Sequence, residues 1–238
     1  MLVATWNVEW AAPKHRLSIS ERLASVNADV LVVTEGVRSV LPPGGYVALG
    51  GTDWGVPAKD PEWRKVLLWS RYSLSDVTTH EGLGMPPGRL VAATSHTPEG
   101  PVRVVGVCIP WEWAHVTFGR RDAVPWQEHL EFVNGLGQLL REQSSLLPLV
   151  VMGDFNQRIP RTRAPQDVSA ALEVALSPVQ VLTTGDIPGL PSGTIDHIAV
   201  TSEFQASDVY GIERVNEHGR SLSDHDLVAA HLGFCGCR

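Results

Sequence analysis

Five short motifs place acidic, amide or histidine side chains beside apolar runs of the chain. They read Thr5-Trp6-Asn7-Val8-Glu9, Val32-Val33-Thr34-Glu35, Val151-Met152-Gly153-Asp154-Phe155-Asn156, Thr194-Ile195-Asp196-His197 and Ser223-Asp224-His225. A polar residue at a strand end is held by rigid backbone while its head group reaches the edge of the sheet. Carboxylate and amide oxygens are hard ligands, which suit Mg²⁺ or Mn²⁺ and do not select zinc or copper. The set therefore predicts a divalent-metal site with oxygen ligands.

Each motif taken alone also has a purely structural explanation. Asp154 and Asn156 follow an apolar run, where such side chains commonly begin a turn by bonding to nearby backbone. Glu35 fits this explanation less well, because Glu favours turns less than Asp or Asn does. A lone histidine such as His225 is more often an ordinary surface or core residue than a catalyst. The functional interpretation therefore depends on the five motifs together.

Short strands separated by Gly/Pro turns must position these motifs. Segments rich in β-forming residues between Gly/Pro turns predict nine strands, at Leu2–Asn7, Val30–Thr34, Lys65–Trp69, Arg89–Ser95, Val102–Ile109, Leu149–Gly153, Thr194–Val200, Ala206–Tyr210 and Leu227–Leu232. Helical spacing predicts helices at Ser18–Asn27 and Trp126–Gln143, and more weakly at Ala170–Ala175. The second helix carries an apolar stripe that we expect in the core, namely Trp126, Leu130, Val133, Leu136 and Leu140. Gly/Pro-rich composition predicts loops at Leu41–Val56, Gly82–Gly88 and Gly185–Gly193.

Nine strands with a few helices fit two packed sheets flanked by helices. No linker or composition break divides the chain, so residues 1–238 are predicted to form one domain. The motifs in this order resemble the endonuclease/exonuclease/phosphatase superfamily, over residues 5 to 226. That group includes abasic-site endonucleases, deoxyribonuclease I, tyrosyl-DNA phosphodiesterases, neutral sphingomyelinases and inositol polyphosphate phosphatases. The resemblance implies a four-layer α/β sandwich, with two mixed β-sheets face to face and helices outside, that hydrolyses phosphate esters.

The resemblance also implies which residues would hold the metal. Glu35 looks like the principal ligand, and Asn7 looks like an amide ligand that also contacts the phosphate. Asp224 resembles a further metal ligand. Glu9 matches a position that is often acidic in the family, where it would help to hold the metal or a second one. The expected cofactor is therefore Mg²⁺ or Mn²⁺.

The remaining motif residues resemble the groups that carry out the chemistry. Asp154 matches the residue that orients or deprotonates the attacking water, and Asn156 the one that hydrogen-bonds the phosphate oxygen. His225 resembles the histidine that contacts the scissile phosphate, and Asp196 the carboxylate that pairs with it. These roles agree with what phosphodiester hydrolysis needs, which is charge stabilisation on the non-bridging oxygens and an activated water. An Asp–His pair keeps the imidazole oriented and protonated against an anionic phosphate.

One position departs from the family pattern. Many members carry a His or Tyr on the strand before the central loop, whereas this strand reads Val107-Cys108-Ile109-Pro110-Trp111. Cys108 stands where abasic-site enzymes have tyrosine, and Trp111 stands where they have asparagine. His115 in the following loop and His96 on the preceding strand are candidate substitutes, although loop histidines are usually solvated. The departure argues against close kinship with the abasic-site enzymes.

Arginines and tryptophans near the motifs are candidate substrate contacts. Arg158, Arg161 and Arg163 follow Asn156 closely, and a guanidinium suits bidentate contacts to phosphates flanking the scissile one. The alternative is that they are ordinary solvated loop residues. Trp111 either stacks on a base or a tyrosyl group or packs under its own loop.

Composition limits the class of protein. The 43% hydrophobic and 19% charged residues are typical of a globular chain, and no segment approaches the ~18 apolar residues of a membrane span. The N-terminus lacks the basic and apolar regions of a signal peptide, so we expect a cytoplasmic protein, monomeric by default and without a membrane partner. Three cysteines are too few for a disulfide framework, and no CxxC or HxxxH pair supports a zinc site.

The substrate remains open among several alternatives. The leading interpretation is a phosphodiester hydrolase, a nuclease or an enzyme that processes nucleic-acid ends. The formal net charge of −7 argues against nucleic acid, but bound metal would offset part of it. The first alternative is a small-molecule or lipid phosphate ester, and the lipid version is disfavoured because no membrane-inserting segment is evident. The second is a degenerate binding scaffold, which the complete set of motif residues disfavours.

Overall fold

The computed structural model describes residues 1–79 and 82–235, which form twelve strands and three α-helices. The strands are β1 (Leu2–Asn7), β2 (Val30–Val37), β3 (Tyr46–Leu49), β4 (Trp63–Ser70), β5 (Leu74–Thr78), β6 (Leu90–Thr97), β7 (Gly100–Cys108), β8 (Leu149–Asp154), β9 (Gln180–Val181), β10 (Asp196–Val200), β11 (Phe204–Ile212) and β12 (Leu227–Phe234). The helices are α1 (Arg16–Val26), α2 (Gln127–Gln143) and α3 (Gln166–Ala175). Short 3₁₀ turns occupy Glu9–Ala11, Pro13–His15 and Arg38–Val40.

The strands form two six-stranded mixed sheets. The first has the order β11-β12-β1-β2-β4-β3, and the second has the order β5-β6-β7-β8-β10-β9. Each sheet contains one parallel pair, β1–β2 in the first and β7–β8 in the second, and the other pairs are antiparallel. The two parallel pairs lie near the middle of their sheets. The C-terminal ends of β1 and β8 meet at one end of the sandwich, where Asn7 contacts Asp154.

Three apolar clusters hold four layers together. The central cluster joins the facing sides of the two sheets, with Val32 and Val66 from the first and Val104 and Met152 from the second. The outer face of the first sheet packs against α1, and the outer face of the second packs against α2 and α3. Burial of this apolar surface is the main stabilising contribution. The predicted four-layer α/β sandwich is confirmed.

The nine predicted strands and three predicted helices are all present, with ends shifted by a few residues. The sequence did not predict β3, β5 and β9. The predicted loop Leu41–Val56 was wrong in part, because it contains β3. These three strands lie at sheet edges, where only one neighbour is available and little apolar burial marks the sequence. No helix in the described ranges is long and apolar enough to cross a membrane.

The apolar stripe of α2 is buried only in part. Val133, Leu136 and Leu140 pack against the second sheet, together with Phe132 and Leu139. Trp126 precedes the helix in a left-handed conformation, with a φ of 67°. It is half-buried and lines the cavity described below. The prediction that Trp126 belongs to the core was wrong, because the helix begins one residue later.

Candidate active site

The motif residues converge where the ends of the two sheets meet. Asn7 ends β1, and Glu35 lies in the adjacent parallel strand β2. Asp154 ends β8, and Asp196 begins the neighbouring β10 directly opposite it. Asn7 Nδ2 donates a hydrogen bond to Asp154 Oδ2 (3.0 Å), which ties the two sheets together at this edge. The five motifs therefore meet because β1, β2 and β8 end, and β10 and β12 begin, on the same side of the sandwich.

Backbone geometry fixes the position of Asp154. Gly153 has a φ of 142°, and a Cβ there would lie 1.9 Å from the carbonyl oxygen of Val107, so only glycine fits. Asp154 is buried and accepts hydrogen bonds from Asn7 Nδ2, from the backbone N–H of Asn156 (2.8 Å) and from Asn156 Nδ2 (3.1 Å). Burial raises the pKa of Asp154 to about 7, although the charge of His225 opposes this. The carboxylate is therefore poised to exchange a proton near neutral pH.

Asp196 and His225 form a close pair beside Asp154. His225 Nδ1 donates to Asp196 Oδ2 at 2.5 Å, and Asp196 is fully buried. Burial alone would lower the pKa of His225, but the charge of Asp196 and its hydrogen bond outweigh burial and raise the pKa to about 10. The imidazole is therefore cationic at neutral pH, with Nε2 turned away from Asp196. Such a group can bind an anionic phosphate and donate a proton.

The loop that carries His225 is anchored to β1. Ser223 Oγ donates to the carbonyl oxygen of Asn7 (2.6 Å) and accepts from the backbone N–H of His225 (3.1 Å). The indole Nε1 of Trp6 donates to the carbonyl oxygen of His225 (2.8 Å). Asp224 follows Ser223 with an exposed carboxylate whose Oδ1 lies 3.7 Å from His225 Nε2. Ser223 and Trp6 were not among the predicted site residues, although both lie within the quoted motifs.

Glu35 is paired with a lysine that the sequence analysis did not select. The Lys65 ammonium donates to Glu35 Oε1 from the neighbouring strand β4, and it also lies 4.3 Å from the ring centroid of Trp10. Glu35 has a left-handed φ of 52°, between residues paired regularly with β4. This backbone conformation is costly for a non-glycine residue, and such strain clusters at functional sites. Both side chains are largely buried.

The geometry fits a divalent cation. Carboxylate oxygens of Asp154 and Asp196 lie within 4.8 Å of each other and of a ring nitrogen of His225, although the cationic imidazole has no lone pair to offer a metal. Asp196 Oδ1 is buried and has no hydrogen-bond partner within residues 1–79 and 82–235, so it retains a free lone pair. Glu35 and Asp224 add further carboxylates at the same edge. An oxygen-rich set of this kind suits a hard cation.

A cavity of about 690 Å³ opens over the Asp196–His225 pair. Its lining includes Asn156, Asp224, Trp111, Trp126, Arg158, Arg163 and Arg214. Arg161 is not part of it. This residue donates from Nη1 to the carbonyl oxygen of Ala164 (3.0 Å) and lines a separate cavity beside α3. Two of the three predicted arginines therefore face the site, and Arg214 was missed because it lies far from the motifs in sequence.

The structure does not bring every candidate to the site. His115 is buried, and its Nδ1 pairs with Glu128 Oε1 (2.6 Å) beneath the loop, so it does not line the cavity. His96 lies at the opposite end of β6 from the site, where its Nε2 contacts Ser75 Oγ. Glu9 is exposed, and its backbone N–H, which donates to Asn7 Oδ1 (3.0 Å), is what contacts a motif residue.

Cys108 and His129 lie under the site without facing the cavity. Burial raises the pKa of the Cys108 thiol to about 12, so it stays protonated and unreactive. His129 on α2 donates from Nδ1 to the carbonyl oxygen of Pro110 (2.7 Å) and accepts from Gln157 Nε2 (2.7 Å). It therefore joins the segment before Trp111 to the segment after Asn156. No motif in the sequence indicated this role.

Two facing mixed sheets carry carboxylates, amides and an Asp–His pair at one edge. The model of the Endonuclease/Exonuclease/phosphatase family matches residues 4–225, and the chain belongs to that family. Its members are divalent-metal-dependent phosphoesterases. No curated protein matches the sequence significantly.

Solved structures of low sequence identity share the fold. The 3′ phosphatase NExo from Neisseria, bound to a product DNA hairpin, is 19% identical, with a TM-score of 0.72 over 98% of this chain and 100% of that chain. An AP endonuclease from Archaeoglobus fulgidus is 18% identical, with a TM-score of 0.68 over 99% and 100%. A humanized D. rerio TDP2 is 14% identical, with a TM-score of 0.65 over 98% of each.

Proposed function

We propose that this protein hydrolyses phosphodiester bonds in nucleic acid with Mg²⁺ or Mn²⁺. The observation that carries the proposal is the cationic His225, held by Asp196 at 2.5 Å at the floor of a cavity that Arg158, Arg163 and Arg214 also line. A phosphodiester carries one negative charge at the scissile position and one at each flanking position. Cations at the floor and on the wall match that distribution better than they match a single phosphate group.

Each side chain has a role that its contacts support. Asp154 holds the attacking water and accepts its proton, since burial places its pKa near the working pH. Asn156 and Asn7 orient Asp154 through their amides. His225 binds a phosphate oxygen through Nε2 while Asp196 keeps the ring oriented.

Glu35, Asn7 and Asp224 are the proposed metal ligands. Asp154 and His225 are better suited to proton and phosphate chemistry than to metal binding. Asp154 already accepts three hydrogen bonds, and His225 Nδ1 is committed to Asp196. A divalent ion at Glu35 would polarise the phosphate and offset charge on its non-bridging oxygens. Glu9 is a proposed helper, and its exposed carboxylate would turn toward Asn7 to reach the ion.

A small phosphate ester is the second candidate substrate. A volume of about 690 Å³ falls within the usual range of small-molecule pockets, and the net charge of −7 disfavours general attraction to nucleic acid. A phosphorylated sugar or lipid head group would occupy the cavity without contacting a polymer backbone. The two substrates differ in their need for the arginine wall, formed by Arg158, Arg163 and Arg214, because only a polynucleotide has flanking phosphates for these arginines to contact.

The test compares substrates and then arginine variants. Purified protein with Mg²⁺, Mn²⁺ or EDTA is assayed on single-stranded and duplex DNA, RNA, a 5′-tyrosyl oligonucleotide and small phosphate esters. The double variant Arg158→Ala/Arg163→Ala should weaken polynucleotide binding and flatten the log–log salt dependence by about 0.7–0.9 per lost contact. Arg161→Ala is the matched control, because its guanidinium is bonded to Ala164 outside the cavity.

Two results would redirect the proposal. If the double variant and Arg161→Ala bind DNA and RNA with the same affinity and salt slope as wild type, the arginine wall does not contact a polymer. If wild type ignores polynucleotides but hydrolyses a phosphorylated sugar or lipid head group, the small-molecule function replaces the nucleic-acid function. Absence of turnover on every substrate in either metal would contradict both.

A further inference from the structure

A second cavity of about 260 Å³ lies beside the catalytic cavity, and Trp111 lines both. Aromatic rings dominate its wall, from Trp10, Trp54, Trp63, Trp111 and Phe118. The charged groups in the wall are all cations, from Lys59, Lys65 and Arg89. This volume lies just below the range of about 300–1,000 Å³ that is usual for pockets of drug-sized ligands, so the cavity suits a small ligand.

The inner rings of this cavity are packed against one another. Trp10 lies 5.6 Å from Trp54 and 5.1 Å from Trp63 between ring centroids, in tilted arrangements. Trp54 is buried, whereas Trp111 and Phe118 are partly exposed and stack on each other at 6.0 Å. The cavity therefore has a fixed inner wall and an exposed aromatic rim. A planar ligand would find preformed faces and would order few side chains on binding.

Arg89 is the feature that points to a ligand. The residue is 3% exposed, yet its guanidinium has no hydrogen bond or ion pair with any residue in the described parts of the chain. Its Nε is buried without a partner, and so is Nε1 of Trp63. A buried cation without a partner is destabilising, and buried arginines are normally paired. Arg89 lines the aromatic cavity, so an anion placed there would satisfy it.

We infer that this aromatic cavity binds the nucleobase of a nucleotide next to the scissile phosphate, with Arg89 contacting a phosphate of that nucleotide. The inference rests on the proposed function and assigns it a base-binding subsite. Lys65 connects the subsite to the catalytic edge, because it lines the cavity and pairs with Glu35. Every base has a π-face, so stacking here is compatible with any sequence.

The charges in the wall separate this ligand from another that favours aromatic rings. Quaternary ammonium groups such as choline bind in cages of tryptophan. Here the Lys65 ammonium already lies over Trp10, and Arg89 and Lys59 add two further positive charges. A cationic ligand would be repelled, whereas a base that carries a phosphate would be attracted. Phosphocholine is therefore the informative ligand to compare with a nucleotide.

The experiment measures binding without turnover. Calorimetric titration in EDTA compares thymidine 5′-monophosphate with thymidine, inorganic phosphate and phosphocholine. Thymidine 5′-monophosphate should bind more tightly than any of the other three. Trp10→Ala should raise its Kd about 5- to 150-fold, the range for loss of one stacking platform, and Trp10→Phe should restore most of the affinity. Trp113→Ala is the matched control, since Trp113 lies in the same loop as Trp111 but lines neither cavity.

Arg89→Leu keeps the proposal falsifiable if the tryptophan variant does not fold. It should raise the Kd about tenfold or more while leaving the melting temperature unchanged or higher, because an unpaired buried cation is removed. Arg141→Leu, on the exposed side of α2, is the control for a lost arginine. A melting temperature that falls as affinity falls would mean that Arg89 is structural.

The outcomes separate this subsite from the proposed function. Unchanged nucleotide affinity in both Trp10→Ala and Arg89→Leu would overturn the subsite, even if wild type cleaves DNA with Mg²⁺. Tighter binding of phosphocholine than of the nucleotide would also overturn it. Loss of nucleotide affinity in both variants would support the subsite, even if wild type cleaves no phosphodiester, and in that case the proposed function alone would fail.

Discussion

His129 makes the stability of this protein depend on pH in a way that can be calculated. The residue is fully buried on α2, where it bridges the carbonyl oxygen of Pro110 and the side chain of Gln157. Burial lowers its pKa to about 4, although the hydrogen bond to Pro110 opposes this shift. The ring must therefore stay neutral to hold together the two segments that carry Trp111 and Asn156.

The direction of the effect follows from proton binding. The unfolded chain protonates this histidine near its ordinary pKa of about 6.5, while the folded chain resists protonation until about pH 4. In that window the unfolded state binds more protons, so the free energy of unfolding falls as the pH falls. At about 1.4 kcal/mol per pKa unit, His129 should account for a loss of about 2.5 kcal/mol between pH 7.5 and pH 4.5. For a chain of this length that is roughly 5–10 °C in melting temperature.

The assay is urea denaturation of wild type and His129→Gln at both pH values. A glutamine can donate to Pro110 and accept from Gln157 without titrating, so the variant should lose less stability on acidification by about 2.5 kcal/mol. Comparing the two proteins cancels the contributions of other titrating groups. His218→Gln, at an exposed position, is the control. Parallel pH profiles for wild type and His129→Gln would refute the reasoning.

Three further predictions concern the catalytic edge. Glu35→Gln should abolish metal-dependent turnover. It should weaken Mg²⁺ binding strongly in a calorimetric titration while lowering the melting temperature only a little. Undiminished turnover of wild type after exhaustive chelation would contradict the metal assignment. His225→Ala should reduce turnover by about 10²–10⁴-fold with little change in melting temperature, and equal loss of activity and stability would make His225 structural. Lys65→Met should tighten Mn²⁺ binding about tenfold, because it removes a neighbouring positive charge. It should also lower the melting temperature in EDTA, because Glu35 loses its partner. An unchanged Mn²⁺ affinity would mean that Lys65 does not compete with the ion for Glu35.

Local pattern was sufficient to predict most of the fold. Continuous apolar runs marked the central strands because both of their faces are buried, as in Val30–Val37 and Leu149–Asp154. The unpredicted strand Tyr46–Leu49 has exposed and half-buried residues at an edge, so its sequence carries little periodicity. The predicted Asp196–His225 pair is present because both residues lie at or just before the start of strands, β10 and β12, that begin at the same edge, although the two are 29 positions apart.

Side-chain direction was the part that local pattern could not supply. Arg158, Arg161 and Arg163 look equivalent in sequence, but the loop turns between them, and Arg161 bonds to the backbone of Ala164 instead. His115 was a candidate substitute for the missing phosphate contact. Its ring instead pairs with Glu128 on the following helix, where both side chains are buried. Both outcomes depend on contacts across a loop, which spacing along the chain does not determine.

The proposed catalytic edge carries groups that balance its charges. Glu35, Asp154 and Asp196 would repel one another as three close carboxylates, and burial would make that repulsion severe. Lys65 pairs with Glu35, His225 pairs with Asp196, and the amides of Asn7 and Asn156 satisfy Asp154. The apo protein can therefore keep this edge assembled. A divalent ion that binds Glu35 must compete with the Lys65 ammonium group. Substrate phosphate adds negative charge beside Lys65 and His225, so it should strengthen metal binding. The metal should in turn strengthen substrate binding by the same factor.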